Sequence, residues 1–477
     1  MDFMEYFSNA DLIGSSPILT LGTFSLIALL INSLMKNSQK IVFMTCVLGV
    51  LLSIGFALYT FPLNQTAFSD MLLVGGYASF YSILFLIITL FALFLAVPYL
   101  EKEEYHLGEY YILVILSTIG MMLMGSAGDL ITIFLGIEVM SVAFYVLAGY
   151  FRTKLSSNES ALKYFLLGAF ATGFLLYGIA LVYGTTGTTN LIRIATQYPQ
   201  AFFDPLHLIG WGLILIGFSF KVAAVPFHMW VPDVYEGAPT SVTAFMSTGG
   251  KAAAFSAFIL AFSVPMSMHD PKLTMVIAIL AAASMLIGNW FGLSQTNLKR
   301  MLAYSSIAHA GYMLIGIASG TQLGQQGISF YLVSYGLTNL GAFGVIAMLE
   351  KENGKNLSYE DYTGLARRKP ALAALLSMFM FSLTGIPPFA GFVGKYYLFA
   401  SAVQSNLTWL AILGVITSLF STYYYLRIVV YMYFREGGEE LPILSKISFA
   451  TVIISGIGIV VLGIVPSLIL DVLKTMF

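Results

Sequence analysis

Charge is what this sequence has least of: Asp, Glu, Lys and Arg make up 9% of 477 residues, against about 25% in a soluble domain. A water-facing surface cannot be built from 22 Lys+Arg and 23 Asp+Glu on a chain of 52.0 kDa, so most of the exterior must face lipid. Cysteine is almost absent. Cys46 stands alone, which excludes a disulfide framework and any cysteine-held zinc or iron-sulfur site within the chain. The first sixteen positions carry Asp2, Glu5 and Asp11 and no Lys or Arg, the wrong sign for a cleavable signal peptide; the first apolar run is therefore expected to be a retained helix. There is no Gly-x4-Gly-Lys-Ser/Thr loop and no Gly-x-Gly-x-x-Gly opening a helix after a strand. The five histidines, at 106, 207, 228, 269 and 309, offer no obvious pair of haem ligands at equal depth. A net charge of −1 leaves no basic footprint for nucleic acid. Whatever drives this molecule must come from outside the chain.

What is abundant is apolar: 58% hydrophobic residues and a mean hydropathy of +0.87 describe an all-α polytopic membrane protein. Measured against the roughly 20 apolar residues of a spanning helix, the chain yields fourteen candidate spans, near 17–35, 41–61, 72–98, 109–126, 128–151, 159–184, 206–228, 240–264, 272–294, 300–318, 326–350, 371–403, 407–434 and 447–470. Pro62, Pro98, Pro265 and Pro370 mark boundaries, and spans three and twelve are long enough to be tilted or broken. Fifteen of the cations fall in or beside the connections after odd-numbered spans, among them Lys40, Lys154, Lys299 and Arg368, while the opposite side holds only Arg193, Lys272 and Lys474. By the positive-inside rule both termini face outward. The connection 185–205, with Leu191, Ile192 and Ile194 in a polar frame, reads as an interfacial helix, a hairpin or an ordered loop.

Five charges fall inside spans: Glu138, Lys163, Lys221, Lys251 and Lys395. Unpaired at mid-helix they would cost on the order of 15 kcal/mol together on insertion scales. Glu138, Lys221 and Lys251 lie too deep to snorkel; Lys163, four or five residues from its helix start, is either a snorkelled anchor or part of the set. One carboxylate cannot statically pair four lysines, whereas lysine, unlike arginine, exchanges its proton. A proton path is the better reading, and packing by structural ion pairs is its competitor.

Span seven contains Lys221-Val-Ala-Ala-Val-Pro226-Phe-His228 and span twelve Leu383-Thr-Gly-Ile-Pro387-Pro388-Phe-Ala-Gly391-Phe-Val-Gly-Lys395. Proline removes a helical hydrogen bond and clashes with the preceding turn, so both helices should be discontinuous near mid-membrane. They lie five spans apart, an odd number, so two five-helix units would run in opposite senses, an inverted repeat with ionisable groups at the breaks. The expected divisions are three leading spans in 1–105, a first repeat in 106–265, a second in 266–435 and a last span in 436–477. His309, mid-span in helix ten, is a proton relay or a hydrogen-bonded packing residue. His228 with Trp230 marks a membrane edge, and Gly288-Asn-Trp-Phe-Gly292 is a helix-packing pattern of small residues.

The stretch Trp230-Val-Pro-Asp233-Val-Tyr-Glu236-Gly-Ala-Pro239-Thr240, with Gly136-Ile-Glu138-Val-Met-Ser141, Leu298-Lys-Arg300-Met-Leu-Ala-Tyr304-Ser-Ser-Ile-Ala-His309 and the lysine at 395, closely resembles the antiporter-like membrane subunits of respiratory complex I, over essentially all fourteen spans. Lysine instead of glutamate in span twelve, and a chain ending at Phe477 without residues for a lateral helix, resemble the subunit N branch. The resemblance implies that Glu138 pairs with Lys221 as an input switch, that Lys163 modulates Lys221, that Lys251 is the central relay, and that His309 leads to Lys395 at the outlet. It also implies a cofactor-free proton-translocating subunit of NADH:quinone oxidoreductase in the inner (cytoplasmic) membrane. NADH, FMN, iron-sulfur clusters and quinone would be handled by partner subunits, and neighbouring antiporter-like and small membrane subunits would flank it in the bilayer. A multi-subunit cation/proton antiporter or membrane-bound hydrogenase is the alternative within the same fold, and a scaffold whose charges only lock packing is the alternative of another class.

Overall fold

The computed structural model describes residues 8–105, 107–198, 201, 204–263, 271–351, 357–437 and 445–477. His106, Pro265 and His269 lie outside them. The chain opens with α1 (Asn9–Leu34) and α2 (Gln39–Thr60), then a hairpin of β1 (Asn64–Ala67) and β2 (Leu72–Gly75), and continues through α3 (Gly76–Lys102), α4 (Glu109–Gly125), α5 (Leu130–Ala148), α6 (Leu155–Thr186) and the short α7 (Leu191–Gln197). Next come α8 (Pro205–Val222), α9 (Trp230–Gly237) and α10 (Thr240–Phe245), a π-helical turn at Met246–Gly250, and α11 (Lys251–Ser263). The remainder is α12 (Pro271–Leu293), α13 (Leu298–Ser319), α14 (Gln322–Leu349), the single turn α15 (Leu365–Arg368), α16 (Pro370–Thr384), α17 (Ala390–Gln404), α18 (Thr408–Phe434), α19 (Lys446–Ile464) and α20 (Ser467–Met476).

Among the described residues, twelve helices are long and apolar enough to cross a membrane. The apolar but shorter α4 and the α16–α17 pair supply the other two of the fourteen expected crossings. Helices are the natural outcome, because hydrocarbon offers the backbone no hydrogen-bond partner outside the segment itself. Polarity is reversed relative to a soluble protein. Leu26, Leu30, Phe170, Trp290 and Leu419 are exposed on the outer helices, while α13, α14 and the α10–α11 helix are buried almost throughout, polar side chains included.

Several boundaries differ from the hydropathy reading. The first helix begins at Asn9, not near residue 17, because Ser8 and Asp11 form a reciprocal capping box that satisfies its first amides. Pro62 is followed by a short antiparallel hairpin registered Asn64 to Gly75, an insertion in an otherwise helical fold. The third span stays one helix through Pro98. The 185–205 connection holds the helix α7, capped by Asn190. The last span stops at Ile464, where Pro466 ends it and the amphipathic α20 begins. The interruption of span eight by a π turn just before Lys251 was not anticipated.

Both expected breaks are present. In span seven α8 ends at Val222 and Ala223 turns left-handed (φ 66°) before α9 starts at Trp230. In span twelve α16 ends at Thr384, Gly385 takes φ 88°, and α17 starts at Ala390. Glycine is required there, since a Cβ on Gly385 would come within 3.0 Å of Lys395 Cδ in a backbone region that L residues rarely adopt. Several helix pairs touch backbone to backbone at glycines, α4–α5 and α12–α13 among them. A Cβ on Gly120 would lie 2.4 Å from Met140 N across α4–α5, and one on Gly288 2.6 Å from Ala308 N across α12–α13, the close approach that small residues permit in membranes.

Candidate functional site

The buried ionisable groups are strung through the centre of the bundle. Lys221 is in the last turn of α8, beside the break, and its Nζ donates to Ser141 Oγ at 2.7 Å. The rings of Phe220 and Tyr145 lie 5.5 and 5.8 Å from that nitrogen. Glu138 stands one turn before Ser141 on α5, yet no hydrogen bond joins it to Lys221, and its buried Oε1 has no protein partner. The ammonium is held by the hydroxyl, not by the carboxylate.

Lys251 follows the π turn, is 3% exposed, and donates to the Ser306 carbonyl on α13, with the Tyr335 ring 5.6 Å away. One turn further along α13, His309 Nδ1 meets Tyr331 OH at 2.5 Å and Nε2 meets Tyr425 OH at 3.0 Å; Tyr425 OH also bonds Ser305 Oγ. Another turn on, the Tyr312 ring sits 4.7 Å from Lys395 Nζ. Lys395 in turn donates to the Leu383 and Thr384 carbonyls at 2.9 Å each and to Ser418 Oγ at 2.8 Å. Those two carbonyls are open because the helix breaks immediately after them. Ser306, His309 and Tyr312, three residues apart, thus make α13 the spine that connects Lys251 to Lys395.

Lys163 does not join this line. Its side chain is 40% exposed and forms ion pairs with Glu159 and Asp233, each at 2.7 Å. Asp233 also pairs with Arg300 at 2.8 Å, and Arg300 reaches Glu236 at 2.8 Å, while Asn297 donates to Glu236 at 3.2 Å. Burial pushes the Asp233 carboxyl up, but hydrogen bonds from Lys163 and Arg300 outweigh it and hold the group below the usual carboxylate range. These side chains wall a polar cavity of about 380 Å³, which Lys154, Lys299 and Glu350 also line. The connections after spans three, five, seven, nine and eleven therefore meet there, and on the other side Arg193 faces Asp70 at 3.5 Å, as the alternation of sides requires.

Sequence reasoning missed the hydroxyls. Ser141 and Tyr312 lay in or beside stretches singled out for other residues, but nothing distinguishes Tyr331, Tyr335, Tyr425 or Ser418 in a chain with 28 tyrosines. The Asp233–Glu236–Arg300 cluster had a signal, since its members stand in the two most recognisable motifs.

Residues 127–421 match the family NADH:quinone oxidoreductase/Mrp antiporter, TM. The subunit N of NADH-quinone oxidoreductase from Trichlorobacter lovleyi is 46% identical over 473 residues, covering 98% of this chain and 97% of the relative. This chain belongs to the NADH-quinone oxidoreductase subunit N family. A second member, subunit N 1 of Chloroherpeton thalassium, is also 46% identical, over 97% of each chain. Among solved structures, a chain of respiratory complex I from Thermus thermophilus superposes with a TM-score of 0.83 at 34% identity, covering 95% of this chain and 98% of its own length. A chain of the Mrp complex from Dietzia sp. reaches a TM-score of 0.85 at 23% identity, covering 98% and 96%, a likeness of fold. The same helical bundle thus occurs in complexes of different kinds.

Proposed function

We propose that this subunit N family member translocates protons as an antiporter-like subunit of NADH:quinone oxidoreductase, coupled to quinone reduction carried out by partner subunits that hold FMN and iron-sulfur clusters. The path runs from Glu138 and Lys221 through Lys251 and His309 to Lys395, with the termini facing outward from the inner membrane. The observation that carries this reading is the α13 spine, which sets the contacts of Lys251, of His309 and of Lys395 on successive turns of one buried helix. Each station can hold a proton without leaving a bare charge. Ser141 and the Ser306 carbonyl accept from an ammonium, the carbonyls freed by the span-twelve break accept from Lys395, and the tyrosine hydroxyls on both ring nitrogens of His309 donate or accept as its tautomer changes. Lys163 acts on this line indirectly, through Asp233 on the helix that follows the Lys221 break.

Residues 106–265 and 266–435 are the two inverted units, flanked by 1–105 and 436–477. In support, α4–α5 and α12–α13 pack through glycines in the same way, and each unit holds one broken helix next to a lysine. The test is Lys251→Ala in assembled complex, with electron transfer to quinone and proton pumping measured together. Pumping should fall by an order of magnitude while the complex still assembles. A complex that pumps normally with alanine at 251 would reduce the buried lysines to packing devices.

A further inference from the structure

The polar cavity beside α9 reaches one buried carboxylate that the path above does not use. Glu350, 3% exposed at the end of α14, lines it together with Lys299, whose Nζ donates to the Ala238 carbonyl at 2.7 Å. Glu350 Oε2 accepts the hydroxyl of Thr240 at 2.6 Å, and Thr240 is the first residue of the helix that carries Lys251. About 16 Å of helix separates Thr240 from Lys251, and the hydroxyls of Thr243, Ser247 and Thr248 stand between them. Each donates to a backbone carbonyl, which leaves its oxygen lone pairs open to accept.

Helix α14 packs along this stretch. There Ser334 Oγ, Tyr335 OH and Asn339 Oδ1, with Ser306 Oγ of α13, are buried without a hydrogen bond of ordinary geometry, and Tyr335 stands within reach of both Ser306 and Asn339. Buried polar atoms in such number make a strip that water can complete. The strip ends at Lys251, over whose nitrogen the Tyr335 ring lies. The π turn at Met246–Gly250 breaks the regular helical ladder on that side just before the lysine.

We propose that Glu350 is a proton-loading residue. It takes a proton from water in the cavity, on the cation-rich side, and delivers it by way of Thr240 and the hydroxyl strip to the neutral amine of Lys251. The excess proton of the cavity water becomes the acid O–H of Glu350; that acid then gives a proton up to the strip, the amine becomes ammonium, and the carboxylate is restored. This rests on Lys251 being the central relay. The competing role is a passive anchor that fixes the start of α10 by accepting Thr240.

Glu350→Gln separates the two, because glutamine keeps an acceptor for Thr240 but cannot ionise. The complex carrying E350Q, E350D or Lys251→Ala is reconstituted in vesicles, and the proton-to-electron ratio is measured against pH on the cation-rich side. E350Q should lose as much of the ratio as Lys251→Ala, at unchanged assembly, and E350D should recover most of it with a displaced pH profile. A normal ratio and pH profile in E350Q, with Lys251→Ala defective, overturns the loading role alone; a normal ratio in Lys251→Ala overturns the relay on which it rests. If neither glutamate variant assembles, Thr240→Val decides, the same loss being expected and normal pumping counting against the proposal.

Discussion

Replacing Ser141 by alanine should damage proton pumping although it removes a single oxygen. In the structure that oxygen holds the Lys221 ammonium at 2.7 Å while Glu138, one turn away, has a buried oxygen without a partner. A hydrogen bond to a charged group contributes about 1.5 to 3 kcal/mol. At an effective dielectric of about 20, opposite charges attract by about 4 kcal/mol at about 4 Å and by about 2 kcal/mol at about 8 Å, so closing a gap of that order between a lysine and a carboxylate gains about 2 kcal/mol. The two anchors are matched to within the size of either one, the condition for a side chain that alternates between them. Ser141→Ala removes one anchor and Glu138→Gln removes the other's charge. Each should lower pumping about tenfold, corresponding to about 1.4 kcal/mol, and the double variant should be little worse than either single one. The assay is NADH-driven quinone reduction and proton uptake in assembled complex for the two singles and the double. Normal pumping in Ser141→Ala, or defects that multiply in the double, would mean that hydroxyl and carboxylate do not share one lysine.

Lys395→Ala should lower pumping without preventing assembly, because the carbonyls of Leu383 and Thr384 that it leaves lie at a helix break where water can reach them; an assembled variant that pumps normally removes Lys395 from the path. The Asp233 carboxyl is held below its ordinary value, so its ion pairs contribute in full above a pH of about 4 and are lost only as pH falls through the lower folded value. Hydrogen-exchange protection in residues 230–237, corrected for the intrinsic pH dependence of amide exchange, should therefore be the same at pH 7 and pH 5, and an opening of that segment between the two would refute the ion-pair account. Single cysteines introduced in place of Lys40, Lys154 and Arg368 in a Cys46-free background should be shielded from a membrane-impermeant reagent in intact cells; labelling at 154 from outside would reverse the assigned sidedness.

The fourteen crossings, the two broken helices and the alternation of sides were legible in the sequence because each depends on a local property. An apolar run of sufficient length must be helical in lipid, a proline in such a run removes a helical hydrogen bond and can interrupt it, as in spans seven and twelve though not at Pro98, and a lysine in it stands out against its surroundings. The chain alone also singled out Lys221, Lys251, Lys395 and His309 as deep ionisable groups. What it could not decide was which neighbour each of them meets. Hydroxyls of serine and tyrosine are common throughout this chain, and only packing selects Ser141 for Lys221, Ser418 for Lys395 and the tyrosines at 331 and 425 for His309. Sequence left Lys163 either a snorkelled anchor or one of the buried set; in the fold the start of α6 lies against α9, and Asp233 pairs with its ammonium. The hairpin after α2, the π turn before Lys251 and the approach of Glu350 to Thr240 across 110 residues are likewise products of tertiary structure. Hydropathy reports the transfer of one side chain from water, whereas a proton path is a property of distances between residues that only the folded bundle brings together.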